Sequence, residues 1–221
     1  MNRRRFKTIK YVILIAGALV MIFPFFWSLM TSFKDLREIL QNPFSLIPRQ
    51  FTIKNYLSVF RKVPFARYLL NSAVVASVTT LLQLGTASLA AFAFARMRFK
   101  GRDLLFYTFL ATMMVPQQVV MIPQYLVVMS LNLENSYTGL IIPHAATAIS
   151  IFFLRQFFLT IPQDLEDAAT IDGCGALRIL MNVFLPLTRP AMATIANFSF
   201  MWSWNNYFWP LLVISEPEMR T

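Results

Sequence analysis

The sequence predicts an all-α, polytopic membrane protein, and two features of its composition support that prediction. Hydrophobic residues make up 57% of the 221 residues and charged residues only 14%, compared with roughly 25% charged residues in soluble domains. Five stretches contain no Asp, Glu, Lys or Arg: 11–33, 68–95, 104–133, 135–154 and 190–215. Each stretch is at least about 20 residues long, which is the length that a helix needs to cross a bilayer.

We expect one transmembrane helix in each stretch, at 11–33, 68–95, 104–130, 138–154 and 190–214. Basic residues, which are enriched in cytoplasmic loops, set their orientation. They form clusters before the first helix and after the second: Arg3, Arg4, Arg5, Lys7 and Lys10, then Arg96, Arg98, Lys100 and Arg102. The sequence therefore predicts a multi-pass membrane protein, with a cytoplasmic N-terminus at 1–10, an external segment at 34–67 and a cytoplasmic loop at 155–189.

The segment 34–67 carries scattered basic residues that the same rule would place in the cytoplasm. Pro43, Pro48 and Pro64 divide it, with aromatic residues between them, which predicts a compact or surface-lying segment. We keep it outside the cytoplasm because the two dense clusters outweigh these scattered cations. Because the cations lie at the ends of apolar stretches, the net charge of +10 does not indicate a nucleic-acid-binding face.

The sequence lacks the residues of an enzyme site, a metal centre or a bound cofactor. It has one histidine, His144, and one cysteine, Cys174, too few for a cluster of metal ligands. It contains no GxxxxGK[ST] phosphate loop, and its apolar stretches contain no carboxylate to relay protons. Sodium coupling through backbone carbonyls stays open; otherwise, the energy to move a solute uphill comes from another chain. His144 is either hydrogen-bonded to neighbouring helices or lines a pathway.

The cytoplasmic loop is polar and predicts two helices. Thr160 and Gln163 have the spacing of a capping box, acidic residues follow in the first turn, and Gly173 suits the left-handed residue that ends a helix. A second helix is expected at 175–185, with Leu177, Leu180 and Phe184 on one face. From the residues alone, this helix-turn-helix is either a surface connector or a docking element for a soluble partner.

Residues in this loop resemble the EAA loop of binding-protein-dependent ABC importers. The residues that carry the resemblance are Asp167-Ala168-Ala169, Asp172-Gly173, Ile179 and Leu185-Pro186. The segments 113–116, 122–123, 153–158 and 204–211 are similar to the maltose-type class of sugar permeases, so the resemblance covers essentially the whole chain. Asp167 departs from the motif, which usually has Glu there, and Cys174 replaces a common Ala.

The resemblance implies a multi-pass permease subunit of a bacterial inner membrane, with 34–67 in the periplasm. This subunit forms half of a translocation pathway for a sugar or similar polar solute. It implies a permease core at 68–221 and an ATPase-coupling loop whose residues are Glu166, Asp167, Ala168, Ala169, Asp172, Gly173, Leu185 and Pro186. The implied partners are a second permease subunit in a heterodimer, a cytoplasmic ABC ATPase dimer, and a periplasmic or lipid-anchored solute-binding protein. Permeases of this class usually continue beyond the position of Thr221 into a sixth span, so we expect five spans of six in a truncated form.

Two places in the spans are candidates for a pathway or gate. Pro116 and Pro123 bracket Gln117 and Gln118, so we expect a kink with free polar groups in the third span. The kink is either a gate or solute contact, or is satisfied by neighbouring helices. Asn205 and Asn206 lie between two tryptophans near the outer end of the fifth span. Two other functions remain open from the sequence: a stand-alone secondary or facilitative transporter, and a non-transporting membrane scaffold.

Overall fold

A computed structural model describes residues 3–221, with side chains described from Lys7 onward except for that of Thr8. Part of the predicted cytoplasmic N-terminus at 1–10 therefore lies outside the described residues. Regular structure in the described residues is helical. The helices are α1 (Arg3–Ser32), α2 (Leu36–Gln41), α3 (Lys54–Lys62), α4 (Phe65–Arg96), α5 (Arg102–Thr112), α6 (Gln117–Ser130), α7 (Tyr137–Ile141), α8 (Ala148–Thr160), α9 (Gln163–Ile171), α10 (Ala176–Ile179), α11 (Leu185–Leu187), α12 (Arg189–Trp204) and α13 (Phe208–Val213).

The chain divides into two compact units, Met1–Phe65 and Ala66–Thr221. In the first unit, the polypeptide after α1 folds back on the end of that helix. The ammonium of Lys34 is fully buried and donates to the carbonyl of Ser45 and, at 3.0 Å, to its hydroxyl. Asn55 on α3 donates to the carbonyls of Ser32 and Lys34 at 2.9 and 2.8 Å. These bonds make the segment compact, as its proline and aromatic residues predict.

In the second unit, α4 is the longest helix, with 32 residues. Small side chains on its inner face, including Ala76, Ala87 and Ala91, are fully buried. Such residues let neighbouring helices approach closely, which is how helices associate in membranes. The other helices of this unit pack along α4 around two apolar clusters. The larger cluster contains Phe92, Phe94, Phe106, Leu154, Phe158 and Phe184, and the smaller one contains Val75, Val128, Leu140, Trp209 and Val213.

Two helices are long and apolar enough to cross a membrane, Ile9–Ser32 and Phe65–Arg96. Three further candidates are pairs of helices joined at a bend, so the described residues contain up to five spans. The pair Arg102–Thr112 and Gln117–Ser130 bends by 102°. The expected kink near Pro116 is thus a complete break, because proline has no N–H for the preceding turn and restricts the residue before it.

The last apolar stretch also holds two helices where the sequence predicts one. Helix α12 ends at Trp204, and α13 begins at Phe208. The side chain of Asn205 donates to the carbonyl of Met201 at 2.7 Å, and that of Asn206 accepts from the N–H of Trp209 at 3.3 Å. Asparagine side chains compete with helical hydrogen bonds in this way and favour helix ends.

Candidate functional site

Helix α9 in the predicted cytoplasmic loop has a defined beginning and end. The predicted capping box is wrong, because α8 continues through Thr160, whose hydroxyl donates to the carbonyl of Phe157 at 2.7 Å. Pro162 precedes α9 instead. At the other end, Gly173 has φ +80°, and the N–H groups of Gly173 and Cys174 reach the carbonyls of Thr170 and Ala169 at 3.0 and 2.9 Å. This is a Schellman motif, which confirms the predicted glycine stop.

The residues of the EAA-like motif divide between an inner and an outer side of this loop. The half-buried residues are Glu166, Ala169, Leu185 and Pro186, and the exposed residues are Asp167, Ala168, Asp172 and Gly173. Ala169 and Cys174 pack against the larger apolar cluster. On the outer side, Ile171 is 87% exposed, although its side chain is large and apolar. Helix α9 therefore rests on the core along one edge and presents acidic and apolar side chains along the other.

Arg96, the last residue of α4, fastens this loop to the core. Its Nη2 donates to the carbonyl of Phe158 at 2.7 Å and also to that of Ile161. Its Nε lies 3.7 Å from a carboxylate oxygen of Glu166, and the guanidinium lies 5.1 Å from the ring centre of Phe184. One side chain thus joins the ends of α4 and α8 to α9 and to the turn before α11.

Sequence reasoning missed this role of Arg96, which it treated only as one of a cluster of cytoplasmic cations. No local signal was available, because Arg96 and its partners are separated by more than sixty residues along the chain. Its position at the end of the second apolar stretch indicated a residue at the membrane surface, but not its partners. The half-buried Glu166 was predicted to belong to the coupling loop, but without a partner.

The second helix of the loop differs from the prediction both in its shape and in which of its residues are buried. Residues Leu180–Phe184 form a π-helical turn between α10 and α11. Ile179, Leu180 and Phe184 are buried, whereas Leu177 is exposed, so the expected face of Leu177, Leu180 and Phe184 is wrong. The wider turn brings residues five apart onto one side. Phe184 therefore contacts the ring edges of Phe92 and Phe158, with centroid distances of 5.1 and 5.3 Å.

A cavity of about 970 Å³ lies between α4, α6, α8 and α12. Its apolar wall includes Val120, Phe153, Ile195 and Phe198. Its polar groups are Gln83, Thr112, Gln117, Gln124, His144, Thr147, Ser150, Ser199 and Trp202. None of the described lining residues is Asp, Glu, Lys or Arg. The cavity therefore offers amide, hydroxyl and ring N–H groups without a formal counter-charge.

His144 lies in the wall of this cavity, immediately before α8. Its ring packs edge-on against Trp202 and Trp209, with centroids 4.8 and 5.4 Å apart. Its carbonyl accepts from the side chain of Gln83 at 2.7 Å, but its buried Nε2 has no hydrogen-bond partner among the described residues. His144 therefore packs against neighbouring helices through its ring and also lines the polar cavity.

The five predicted pathway residues do not meet at one place. Gln117 lines the large cavity, whereas Pro116 and Gln118 are not among its lining residues. Asn206 lines a separate void of about 50 Å³ beside Ser203 and Trp209, and Asn205 caps α12. Sequence reasoning overlooked the cavity's Gln83, Gln124, Thr147, Ser150 and Ser199. A search for polar residues inside apolar stretches would have found them.

Bent pairs of helices surround a polar cavity, and α9 is held near them by the contact of Glu166 with Arg96. This arrangement is that of a membrane transport protein. Residues 83–221 match the family model described as binding-protein-dependent transport system inner membrane component, and the chain belongs to that family. It is 35% identical to the sn-glycerol-3-phosphate transport system permease protein UgpE of Yersinia pestis, over 100% of this chain and 80% of UgpE. It is also 35% identical to the diacetylchitobiose uptake system permease protein NgcG of Streptomyces coelicolor, over 97% of this chain and 72% of NgcG.

A solved structure supports the same conclusion. A chain in the crystal structure of a bacterial ABC transporter involved in the import of the acidic polysaccharide alginate matches with a TM-score of 0.88 and 27% identity. The match covers 99% of this chain and 78% of that chain. The prediction of an ABC importer permease subunit is thus confirmed over that of a stand-alone transporter, and the protein is a transport permease, not an enzyme. The family implies partners of three kinds: a second permease, an ATPase and a solute-binding protein.

Proposed function

We propose that this permease docks an ATPase subunit through α9 and carries an uncharged, carbohydrate-like solute through the cavity beside His144. The observation that carries the proposal is the arrangement of α9. Its outer edge is exposed, both of its ends are defined, and Arg96 fastens it to the helices that form the pathway. A docking element must be stiff and must be connected to the part that moves, because coupling requires contacts that differ between two global states.

The surface chemistry of α9 supports docking to a protein. Leu165 and Ile171 are exposed apolar residues, and the acidic residues Asp164, Asp167 and Asp172 surround them. A partner cleft with an apolar floor and basic rims would complement this surface, with the apolar contacts providing affinity and the charges specificity.

The contact of Arg96 with α9 also supports an orientation of the chain in the membrane. Because Arg96 contacts Glu166, α9 lies at the same end of the unit as the basic cluster that follows α4. The positive-inside rule assigns such a cluster to the cytoplasm, which is where an ATPase subunit resides. This supports the proposal of a cytoplasmic N-terminus and a periplasmic segment at 34–67.

The lining of the cavity favours a neutral solute. A phosphate or carboxylate group in a largely apolar cavity would lose its hydration without gaining a counter-charge from this chain, and such transfer is costly. Hydroxyl groups of a sugar would instead pair with amides such as Gln124 and with the hydroxyl of Ser199. Trp202 and Phe198 provide apolar faces for a sugar ring. Among the solutes named for the relatives, diacetylchitobiose is thus a better model for this cavity than sn-glycerol 3-phosphate.

Cysteine crosslinking in the complete transporter tests the docking. Cys174 is half-buried against the core, so we would replace it with Ser and introduce the label as Ile171→Cys. We expect a crosslink to the ATPase subunit whose yield changes when ATP is added. Leu131→Cys, exposed at the end of α6, is the control and should give none. Equal yields at the two positions, or no crosslink at position 171 in an assembled complex, would rule out docking through α9.

Uptake by proteoliposomes that contain the transporter and its binding protein tests the solute class. The probes are N,N′-diacetylchitobiose and sn-glycerol 3-phosphate, each presented with ATP inside the vesicles. Uptake of the neutral sugar in preference to the phosphate supports the proposal. Preference for the phosphate would overturn the neutral-solute part and leave the docking result unaffected.

A further inference from the structure

The polypeptide between α1 and α4 presents a surface that solute transport does not explain. Several large apolar side chains are exposed there: Phe44, Ile47, Phe51, Ile53, Leu57 and Phe60. The cations Arg37, Arg49, Lys54, Arg61 and Lys62 are exposed as well. The segment has only two carboxylates, Asp35 and Glu38. It is therefore both apolar and positively charged at its surface.

Helix α3 separates its exposed apolar side chains from its cations. Ile53, Leu57 and Phe60 follow one another at spacings of four and three residues, which places them in one stripe along the helix. They are 60%, 48% and 55% exposed. Lys54 and Arg61 lie together along one border of the stripe, about 80° round the helix from its centre, whereas Lys62 lies on the opposite side of the helix. The pattern is that of an amphipathic helix with cations beside its apolar face.

Contacts within the first unit hold α3 at the end of a membrane-crossing helix. Asn55 donates to the carbonyls of Ser32 and Lys34, and the hydroxyl of Tyr56 lies 2.7 Å from that of Ser32. Ser32 is the last residue of α1. At its other end, α3 is only Val63 and Pro64 away from Phe65, where the next membrane-crossing helix begins. Helix α3 is thus tethered where the chain leaves and re-enters the membrane.

We propose that α3 lies in the membrane–water interface and binds anionic phospholipid headgroups through Lys54 and Arg61. The apolar stripe would enter the boundary between headgroups and acyl chains, while the cations would contact phosphate groups. Lipid fits better than a protein partner because the contacts with Ser32 hold α3 at the end of a membrane-crossing helix, which is where headgroups lie. The proposal also explains why these cations lie on the side of the membrane where the positive-inside rule does not expect them.

Photo-crosslinking in lipid nanodiscs tests the proposal. The assembled transporter with Cys174→Ser and Leu57→Cys would carry a benzophenone at position 57, in equal parts of phosphatidylcholine and phosphatidylglycerol, with the solute-binding protein added. We expect lipid adducts in which phosphatidylglycerol is enriched over phosphatidylcholine. A label at Ser58→Cys, half-buried away from the stripe, should give far fewer. Adducts mainly with the binding protein, or equal lipid yields at the two positions, would overturn the proposal.

The charges are tested by neutral variants in the same assay. Lys54→Gln and Arg61→Gln should each lower the ratio of phosphatidylglycerol to phosphatidylcholine adducts by about fivefold, the effect expected for one cation at an anionic surface. Lys100→Gln removes the same charge from the turn after α4 and should leave the ratio unchanged. If all three variants behave alike, headgroup recognition by α3 is refuted.

Discussion

Replacement of Arg96 tests whether the permease transmits movement through α9. The Arg96→Gln variant removes the positive charge but keeps a side chain that can donate hydrogen bonds. The wild-type guanidinium makes two charge-assisted hydrogen bonds to carbonyls at the end of α8, and such bonds contribute about 1.5–3 kcal/mol each. The 3.7 Å approach to Glu166 is too long for a hydrogen bond, so the ion pair adds less.

The hydrogen bonds and the contact with Phe184 share one side chain, so their contributions are not additive. We therefore expect a loss of about 3 kcal/mol in the free energy that holds the end of α8 against α4, and α9 loses its ion pair with the same side chain. If that energy maintains the docking-competent position, its loss lowers the apparent affinity for the ATPase subunit by up to about a hundredfold. Insertion into the membrane should be unaffected, because the apolar helices do not depend on this contact.

Titration of the purified permease with the ATPase subunit, followed by uptake in proteoliposomes, measures this effect. Arg98→Gln is the matched control, because it removes the same charge two residues away from an exposed position. We expect Arg96→Gln to bind the ATPase weakly and to transport less solute per ATP, while Arg98→Gln resembles the wild type. Unchanged ATPase affinity and unchanged uptake in an inserted Arg96→Gln permease would refute the reasoning.

Three further predictions concern single residues. Asp167→Lys should abolish uptake by reversing a charge on the exposed edge of α9, while Asp167→Glu should retain it; equal uptake by both variants would contradict docking through this edge. Gly173→Ala should weaken ATPase binding, because a side chain at φ +80° costs about 1–2 kcal/mol, and Gly173→Asn should be milder because asparagine tolerates this conformation; binding assays that rank Asn below Ala would contradict the backbone explanation. Ser199→Lys should lower uptake of a neutral sugar at least tenfold by placing a charge in the cavity wall, whereas Ser199→Ala should have little effect; sugar uptake that survives the lysine would remove the cavity from the pathway.

The general architecture could be predicted because membrane insertion leaves a strong signal in sequence. Long stretches without charge predict helices, since backbone groups in hydrocarbon must form hydrogen bonds within the chain. The end of α9 at Gly173 could also be predicted, because a Schellman motif depends only on a few neighbouring residues. The identification of the family followed from the same loop, where several residues of the motif coincide in register between two apolar stretches.

Features that depend on distant contacts could not be read in this way. The fastening by Arg96 joins residues far apart in sequence, and the cavity brings together side chains from four helices. The π-helical turn at Leu180–Phe184 changes which residues face the core, and a regular helical period gives no warning of it. Pro116 indicated an interruption, but a proline does not by itself predict the 102° angle between the two helices.

The contacts of α4 suggest how the two candidate sites are connected. Near its middle, Gln83 and Thr86 donate to the carbonyls of His144 and Ala145, just before α8 begins. At its end, Arg96 donates to carbonyls at the other end of α8. Helix α8 is therefore held by α4 at both ends, and thirteen residues of continuous helix, about 20 Å, separate Gln83 from Arg96. Because a packed helix pair is stiff along its axis, displacement of α9 at one end should shift the wall of the cavity at the other as a rigid body.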